Sequence, residues 1–207
     1  MSLNKIIVLN FGGQTDQLIV RRVRELGVFA ELHPCDVDID TLDLEGLAGI
    51  ILTGGPQSIN DKESLRADSR IFDLGVPILG ICYGLQYINH NFGGEIETPK
   101  NGEYGKTPLF VDTNSSLFKN VPQESTIWMN HRDRVSKIAD GFKKTGWTLN
   151  CPVAGMESKE KNIYAVQFHP EVVHSEYGKI MIANFVLNIC KAEQTWKMED
   201  YGQKMID

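Results

Sequence analysis

The residues in this chain best equipped for chemistry are Cys82, His169 and Glu171. Cys82 sits in Val76-Pro77-Ile78-Leu79-Gly80-Ile81-Cys82-Tyr83-Gly84-Leu85-Gln86, an apolar run that predicts a buried strand, then Gly-x-Cys-x-Gly, then helical spacing. That is the layout of a nucleophile elbow with cysteine in place of serine. Glycines on both sides let the backbone turn sharply and project the central side chain. The N-terminus of the following helix favours thiolate over thiol. Taken alone, the pattern equally fits a buried cysteine at an ordinary strand–helix junction. Asn162-Ile163-Tyr164-Ala165-Val166-Gln167-Phe168-His169-Pro170-Glu171 supplies the context. Positions i and i+2 of an extended chain share a face, so His169 and Glu171 point the same way. A lone His-x-Glu is ordinarily a surface pair. Beside an elbow cysteine it becomes base and orienter, the logic of a triad.

A third block, Ala48-Gly49-Ile50-Ile51-Leu52-Thr53-Gly54-Gly55-Pro56, runs an apolar strand into a Gly-Gly-Pro loop whose backbone N–H groups no side chain shields. By itself it also reads as a plain strand-ending turn. The order Gly-Gly-Pro, Gly-x-Cys-x-Gly-x-Gln, His-Pro-Glu resembles the class I (triad-type) glutamine amidotransferases. Ile7-Val8-Leu9-Asn10-Phe11-Gly12-Gly13-Gln14, Arg21-Arg22-Val23-Arg24-Glu25-Leu26-Gly27-Val28 and Trp128-Met129-Asn130-His131-Arg132-Asp133-Arg134-Val135 resemble the amidotransferase portion of GMP synthases, over residues 5–192. Four positions depart from that pattern: Asn10 where Asp is usual, Gly13 where Ser is common, and Asn130 and Arg132 in Asn130-His131-Arg132-Asp133, where the family has Ser-His-Gly-Asp.

The resemblance implies that Cys82 attacks the glutamine carboxamide, with backbone N–H groups of Gly55 and Tyr83 holding the oxyanion. His169, oriented by Glu171, handles the proton. Gln86, Asn130, His131 and Arg132 would contact glutamine, the loop lying near its α-carboxylate in the family; Gln86 also reads as a cap for local polar groups. His131 and Asp133 are the expected sensor coupling glutamine hydrolysis to an activated acceptor, although the loop also reads as an ordinary charged surface loop. The expected partner is an ATP-pyrophosphatase (synthetase) domain or subunit, which uses ATP and Mg to activate xanthosine monophosphate (XMP). No cofactor or metal is expected in this chain. An amidotransferase for another acceptor, or a γ-glutamyl hydrolase, is the alternative, and the Trp128–Val135 block argues against both. A non-enzymatic module is argued against by the intact Cys82/His169/Glu171 set.

The elements that must position these residues alternate over the first half. Strands are predicted near 5–10, 29–33, 48–53 and 76–81, and helices near 15–26, 64–74 and 84–92. Such alternation predicts an α/β fold with a mostly parallel, doubly wound sheet and helices on both faces. Ligands on such sheets gather at the C-terminal strand ends, where Gly54, Gly55 and Cys82 fall. Beyond Gly94 shorter strands at Tyr104–Asp112, Ser125–Met129 and Phe142–Leu149 predict a small antiparallel extension that returns His169 to the elbow, and a closing helix is expected over Glu176–Lys191. Residues 1–192 read as one amidotransferase domain. Residues 193–207 read as a tail towards the synthetase portion, whose Ser-Gly-Gly-x-Asp-Ser nucleotide loop this chain lacks. A domain of a longer protein is favoured over a separate subunit.

The 207 residues suit one domain with a sizeable core. A net charge of -6 carries no electrostatic footprint for nucleic acid. The basic cluster Arg21-Arg22-x-Arg24 reads as a solvated or interface patch rather than a phosphate site. No apolar run approaches the ~20 residues of a membrane span. Four cysteines, Cys35, Cys82, Cys151 and Cys190, lack metal-ligand spacing. A catalytic thiolate requires a reducing compartment, so the expected location is the cytoplasm.

Overall fold

In the computed structural model, residues 3–197 are described. The first half alternates as expected except between β3 and β4: β1 (Lys5–Asn10), α1 (Asp16–Glu25), β2 (Phe29–Pro34), β3 (Leu47–Leu52), β4 (Ile78–Ile81) and α2 (Tyr83–Asn91). Then come β5 (Glu95–Glu97), β6 (Glu103–Val111), β7 (Glu124–His131), β8 (Arg134–Lys137), β9 (Lys143–Trp147), β10 (Gly155–Ser158), β11 (Ile163–Val166) and α3 (Gly178–Ala183). The described residues form a nine-stranded sheet ordered β2-β1-β3-β4-β11-β10-β9-β6-β7 and a two-stranded sheet of β5 and β8. Pairing is parallel from β2 through β11 and antiparallel from β11 to β7. The parallel β11 lies directly beside β4, in register Val166 opposite Ile81. That pairing carries the segment after β11 to the elbow.

Successive side chains on a strand face opposite ways, and the core divides accordingly. Ile6 and Val8, Ile51, Leu79 and Ile81, and Val166 pack with Ile19, Val20 and Val23 of α1 and with Met181 and Ile182 of α3. Ile7 and Leu9, Ile50 and Leu52, Ile78, and Ala165 pack with Leu85 and Ile88 of α2 on the opposite face. Strands buried on both faces explain the near-continuous apolar runs.

Two expected helices differ. Residues 64–74 form a loop and a 3-10 turn at Ser69–Asp73 instead of a helix. Side chains capture that backbone: Tyr83 and Tyr87 donate their hydroxyls to the Leu65 and Ala67 carbonyls, and Gln57 Oε1 accepts from the Leu65 N–H. Asp68 then caps the turn through the Arg70 N–H. The short strands β5, β8 and β10 were not anticipated. The closing helix begins later than expected, at Gly178, and continues as a π-helical segment, Asn184–Ile189.

Beyond that segment, the Glu193 N–H bonds the Leu3 carbonyl and the Trp196 N–H the Gly27 carbonyl. The Arg24 guanidinium lies over both the Phe29 and Trp196 rings. The rest of the expected tail, 198–207, lies outside the described residues. Among the described residues no helix is long and apolar enough to cross a membrane.

Candidate active site

Cys82 stands between β4 and α2 with φ of 54° and ψ of -106°, a left-handed conformation that a non-glycine residue adopts only when its surroundings enforce it. The Cys82 N–H bonds the Val166 carbonyl at 2.8 Å, and the Gly84 N–H bonds the Thr53 carbonyl at 3.1 Å. The elbow glycines serve close approach, not a left-handed turn. A Cβ on Gly80 would come within 2.6 Å of Ile88, and one on Gly84 within 2.4 Å of the Leu52 carbonyl oxygen. The sharp turn therefore falls on the cysteine itself, and the flanking glycines let α2 press against the sheet.

His169 and Glu171 lie past the end of β11, in a turn rather than in the strand. They meet as expected, but loop geometry brings them together instead of strand alternation. His169 Nδ1–H donates to Glu171 Oε1 at 2.8 Å, which leaves Nε2 for Cys82. Burial by itself draws the imidazole down. Hydrogen bonds to Cys82 and Glu171, reinforced by their charges, outweigh it and push His169 from the ordinary 6.5 up to about 10. A ring that holds its proton so firmly can donate it through Nε2 towards the sulfur beside it.

Several contributors were missed at the sequence level. Thr15 stands at the N-cap of α1, yet its hydroxyl donates to Glu171 Oε1 at 2.6 Å instead of capping the helix. Arg22 Nε donates to the Glu171 carbonyl at 3.0 Å, and Arg22 and Arg21 both pair with Glu25. The basic cluster is thus engaged within the fold: Arg21 and Arg22 share Glu25, Arg22 also holds the Glu171 carbonyl, and Arg24 donates to the Ala30 carbonyl. Asp16 is buried beside them with no hydrogen-bond partner on either carboxylate oxygen. A Thr at a helix start is the one local signal that could have pointed here.

A cleft of about 980 Å³ opens over Cys82. Gly55, Tyr83, Gln86, Asn130, His131, Arg132, Asp133 and His169 all line it, with Glu171 behind His169. Gly54 lies against the pair: a Cβ there would come within 3.2 Å of His169 Cε1 and 3.5 Å of Cys82 Cβ. Gly55 packs on the Phe11 carbonyl so closely that a Cβ would approach it to 2.5 Å. Among the described residues, neither the Gly55 nor the Tyr83 N–H is engaged in a turn, loop or cap hydrogen bond.

The expected Asn130–Asp133 loop is not a plain surface turn, since Asn130 and His131 form the end of β7. Arg132 and Asn130 are exposed, but His131 and Asp133 are buried. Asp133 accepts from Thr98 Oγ1 at 2.7 Å and from the Ser58 hydroxyl. Its carbonyl accepts from His131 Nδ1–H and Gln86 Nε2, each at 2.9 Å. The Asn130 carbonyl lies 3.7 Å from Cys82 Sγ.

Ligand atoms of Glu103, His131 and Cys151 lie within 4.8 Å of one another, a grouping with metal-binding chemistry. Each is already bonded: Thr148 donates to Glu103, His131 to the Asp133 carbonyl, and Cys151 to the Val153 carbonyl. Burial pushes the Cys151 thiol up to about 12 and Cys35 to about 11, and raises Cys190 too.

Residues 7–189 match the family model for class-I glutamine amidotransferases. The chain is 47% identical over 199 residues to a glutamine-hydrolysing GMP synthase of Listeria innocua, covering 96% of this chain and 38% of that protein. It is 48% identical over 207 residues to the glutamine-hydrolysing GMP synthase of Alkaliphilus metalliredigens, covering 100% of this chain and 41% of that one. The chain therefore spans well under half the length of these relatives. A solved structure from Thermoplasma acidophilum, provisionally assigned as one subunit of a GMP synthase, superposes with a TM-score of 0.81 at 34% identity, covering 100% of both chains. A glutamine amidotransferase of Thermotoga maritima shares the fold, with a TM-score of 0.68 at 17% identity, covering 99% of this chain and 92% of that one.

Proposed function

This chain belongs to the class-I glutamine amidotransferases, and we propose that it releases ammonia from glutamine through a thioester on Cys82. The sulfur attacks the side-chain carboxamide carbon, and the carbonyl electron pair moves onto oxygen. The Gly55 and Tyr83 N–H groups hold that oxyanion, each donor worth about 3–4 kcal/mol. His169 passes its proton to the leaving nitrogen, the C–N bond breaks and ammonia departs. His169 then deprotonates a water that attacks the glutamyl thioester, releasing glutamate and restoring the thiolate. Glu171, steadied by Thr15, keeps the ring oriented.

Gln86, Asn130 and Arg132 take the α-amino and α-carboxylate groups of glutamine, with Arg132 supplying the positive charge. Because the Gln86 nitrogen is turned to Asp133 and Gln167, its oxygen faces the substrate ammonium. His131 and Asp133 hold the loop and couple it to the acceptor site. That acceptor is XMP, activated by ATP and Mg on an ATP-pyrophosphatase portion outside this chain and aminated to GMP. Residues 1–192 act as the amidotransferase domain, residues 193–207 lead towards that portion, and a working thiolate suits the cytoplasm.

One observation carries this reading: the left-handed backbone at Cys82 stands beside an imidazole that is already paired with a buried carboxylate. Replacing Cys82 by Ala tests it. The variant should lose glutaminase activity, while the synthetase portion supplied with free ammonia, ATP and XMP still makes GMP. Glutamine hydrolysis surviving in Cys82→Ala would overturn the reading, and ammonia incorporated into a different acceptor would correct the substrate.

A further inference from the structure

We propose that Gln167 is a positioning residue for this reaction, donating an amide hydrogen bond to the Cys82 sulfur in an orientation imposed by Gln86 and the Asp133 carbonyl. The inference rests on Cys82 being the nucleophile, as proposed above. Gln167 follows β11 and is fully buried. Its backbone N–H is fixed on the Ala154 carbonyl at 2.9 Å. Its side-chain Nε2 lies 3.6 Å from Cys82 Sγ, within reach of an N–H···S bond.

A glutamine amide can present either oxygen or nitrogen to a neighbour, and the hydrogen-bond network decides which. Here the chain of bonds leaves one choice. The Asp133 carbonyl can only accept, so Gln86 must turn its nitrogen there, at 2.9 Å. The same nitrogen reaches Gln167 at 3.2 Å, so Gln167 must present its oxygen to Gln86. Its nitrogen is then committed to the sulfur. A donor facing a thiolate stabilises the charged form, whereas an acceptor would repel it. The Asn130 carbonyl, 3.7 Å from the sulfur, accepts from the thiol but repels the thiolate. Gln167 offsets it. The oxyanion donors act on the substrate, so Gln167 is a separate device acting on the nucleophile. It also ties the sulfur's environment to the Asp133 loop.

The test is the pH profile of iodoacetamide alkylation at Cys82, with the labelled site read by peptide mass, in the native chain and two variants. Gln167→Met keeps the volume and removes the donor. Its alkylation midpoint should rise by about one pH unit, with kcat for glutamine falling about tenfold and KM little changed. Gln167→Glu still accepts from Gln86 but turns an oxygen to the sulfur, so its midpoint should rise further than that of the Met variant. A folded Gln167→Met with the native midpoint would overturn the proposal, since a purely structural role shifts Tm and leaves the midpoint alone. Should neither variant fold, the native chain serves instead. The Gln167 side-chain amide resonances should titrate with the alkylation midpoint and cease to do so in Cys82→Ala; resonances that stay still in the native chain would refute it. If iodoacetamide labels another cysteine first in the native chain, the nucleophile assignment itself fails, an outcome distinct from an unmoved midpoint at a labelled Cys82.

Discussion

Replacing Asp16 by Asn should stabilise the folded chain, and the gain should grow as pH rises. Asp16 is 4% exposed, and neither carboxylate oxygen has a hydrogen-bond partner. The nearby Thr53 hydroxyl favours the charged form only weakly, because it is spent on the Gly54 carbonyl at 3.0 Å. Burial dominates and the Glu171 charge adds to it, so the carboxyl is raised from 3.8 to about 6 against the weaker opposing pull of the Thr53 hydroxyl, the Gly13 backbone and the His169 charge. Below the ordinary value both folded and unfolded chains hold the proton and Asp16 exacts no penalty. As pH climbs towards the raised value, the unfolded chain has released the proton while the folded chain keeps it, so stability falls by about 1.4 kcal/mol per pH unit. Above about pH 6 the loss levels off near ~3 kcal/mol. Asn mimics the protonated carboxyl and escapes the loss. Urea unfolding of both chains at about pH 5 and about pH 8 should therefore show the Asn advantage larger at the higher pH by about 1.4 kcal/mol. Other titrating groups, Glu171 and His169 included, are common to both chains and largely cancel. An advantage that is the same at both pH values, or larger at the lower one, would refute the reasoning.

Further outcomes follow from the same geometry. Glu171→Gln should lose at least about tenfold less kcat than His169→Ala, because it disorients and weakens the base without removing it; steady-state glutaminase rates decide, and an equal loss would mean the two roles are misassigned. His131→Ala or Asp133→Ala, which break the buried network holding the loop, should lower the rate stimulated by the synthetase portion with ATP and XMP by more than the basal rate. A native chain that hydrolyses glutamine at full rate alone, unchanged by partner and nucleotides, would show that no such coupling exists. At neutral pH iodoacetamide should label Cys82 alone, since burial raises the Cys35, Cys151 and Cys190 thiols; intact mass after partial labelling measures this, and fast labelling elsewhere would contradict it.

Whatever is written in short-range pattern was legible in the amino-acid order. Apolar runs of strand length located β1, β3, β4 and β11, since strands buried on both faces have no polar side to keep. Gly80-Ile81-Cys82-Tyr83-Gly84 announced the elbow because only glycine tolerates Leu52 and Ile88 at that distance, although the sequence does not reveal that Cys82 itself takes the positive φ. The 64–74 segment misled because its helical spacing is overridden by Gln57 just before it and by Tyr83 and Tyr87 of the later α2, whose side chains claim its amide and carbonyl groups. Only the tertiary structure could bring Thr15 to Glu171 across 156 positions, Arg22 to the Glu171 carbonyl across 149, and Gln167 to Cys82 across 85. Local sequence sets what a segment of backbone prefers. The partner of a buried polar group is set by which strands pair, here β11 beside β4, and that pairing is a property of the whole chain.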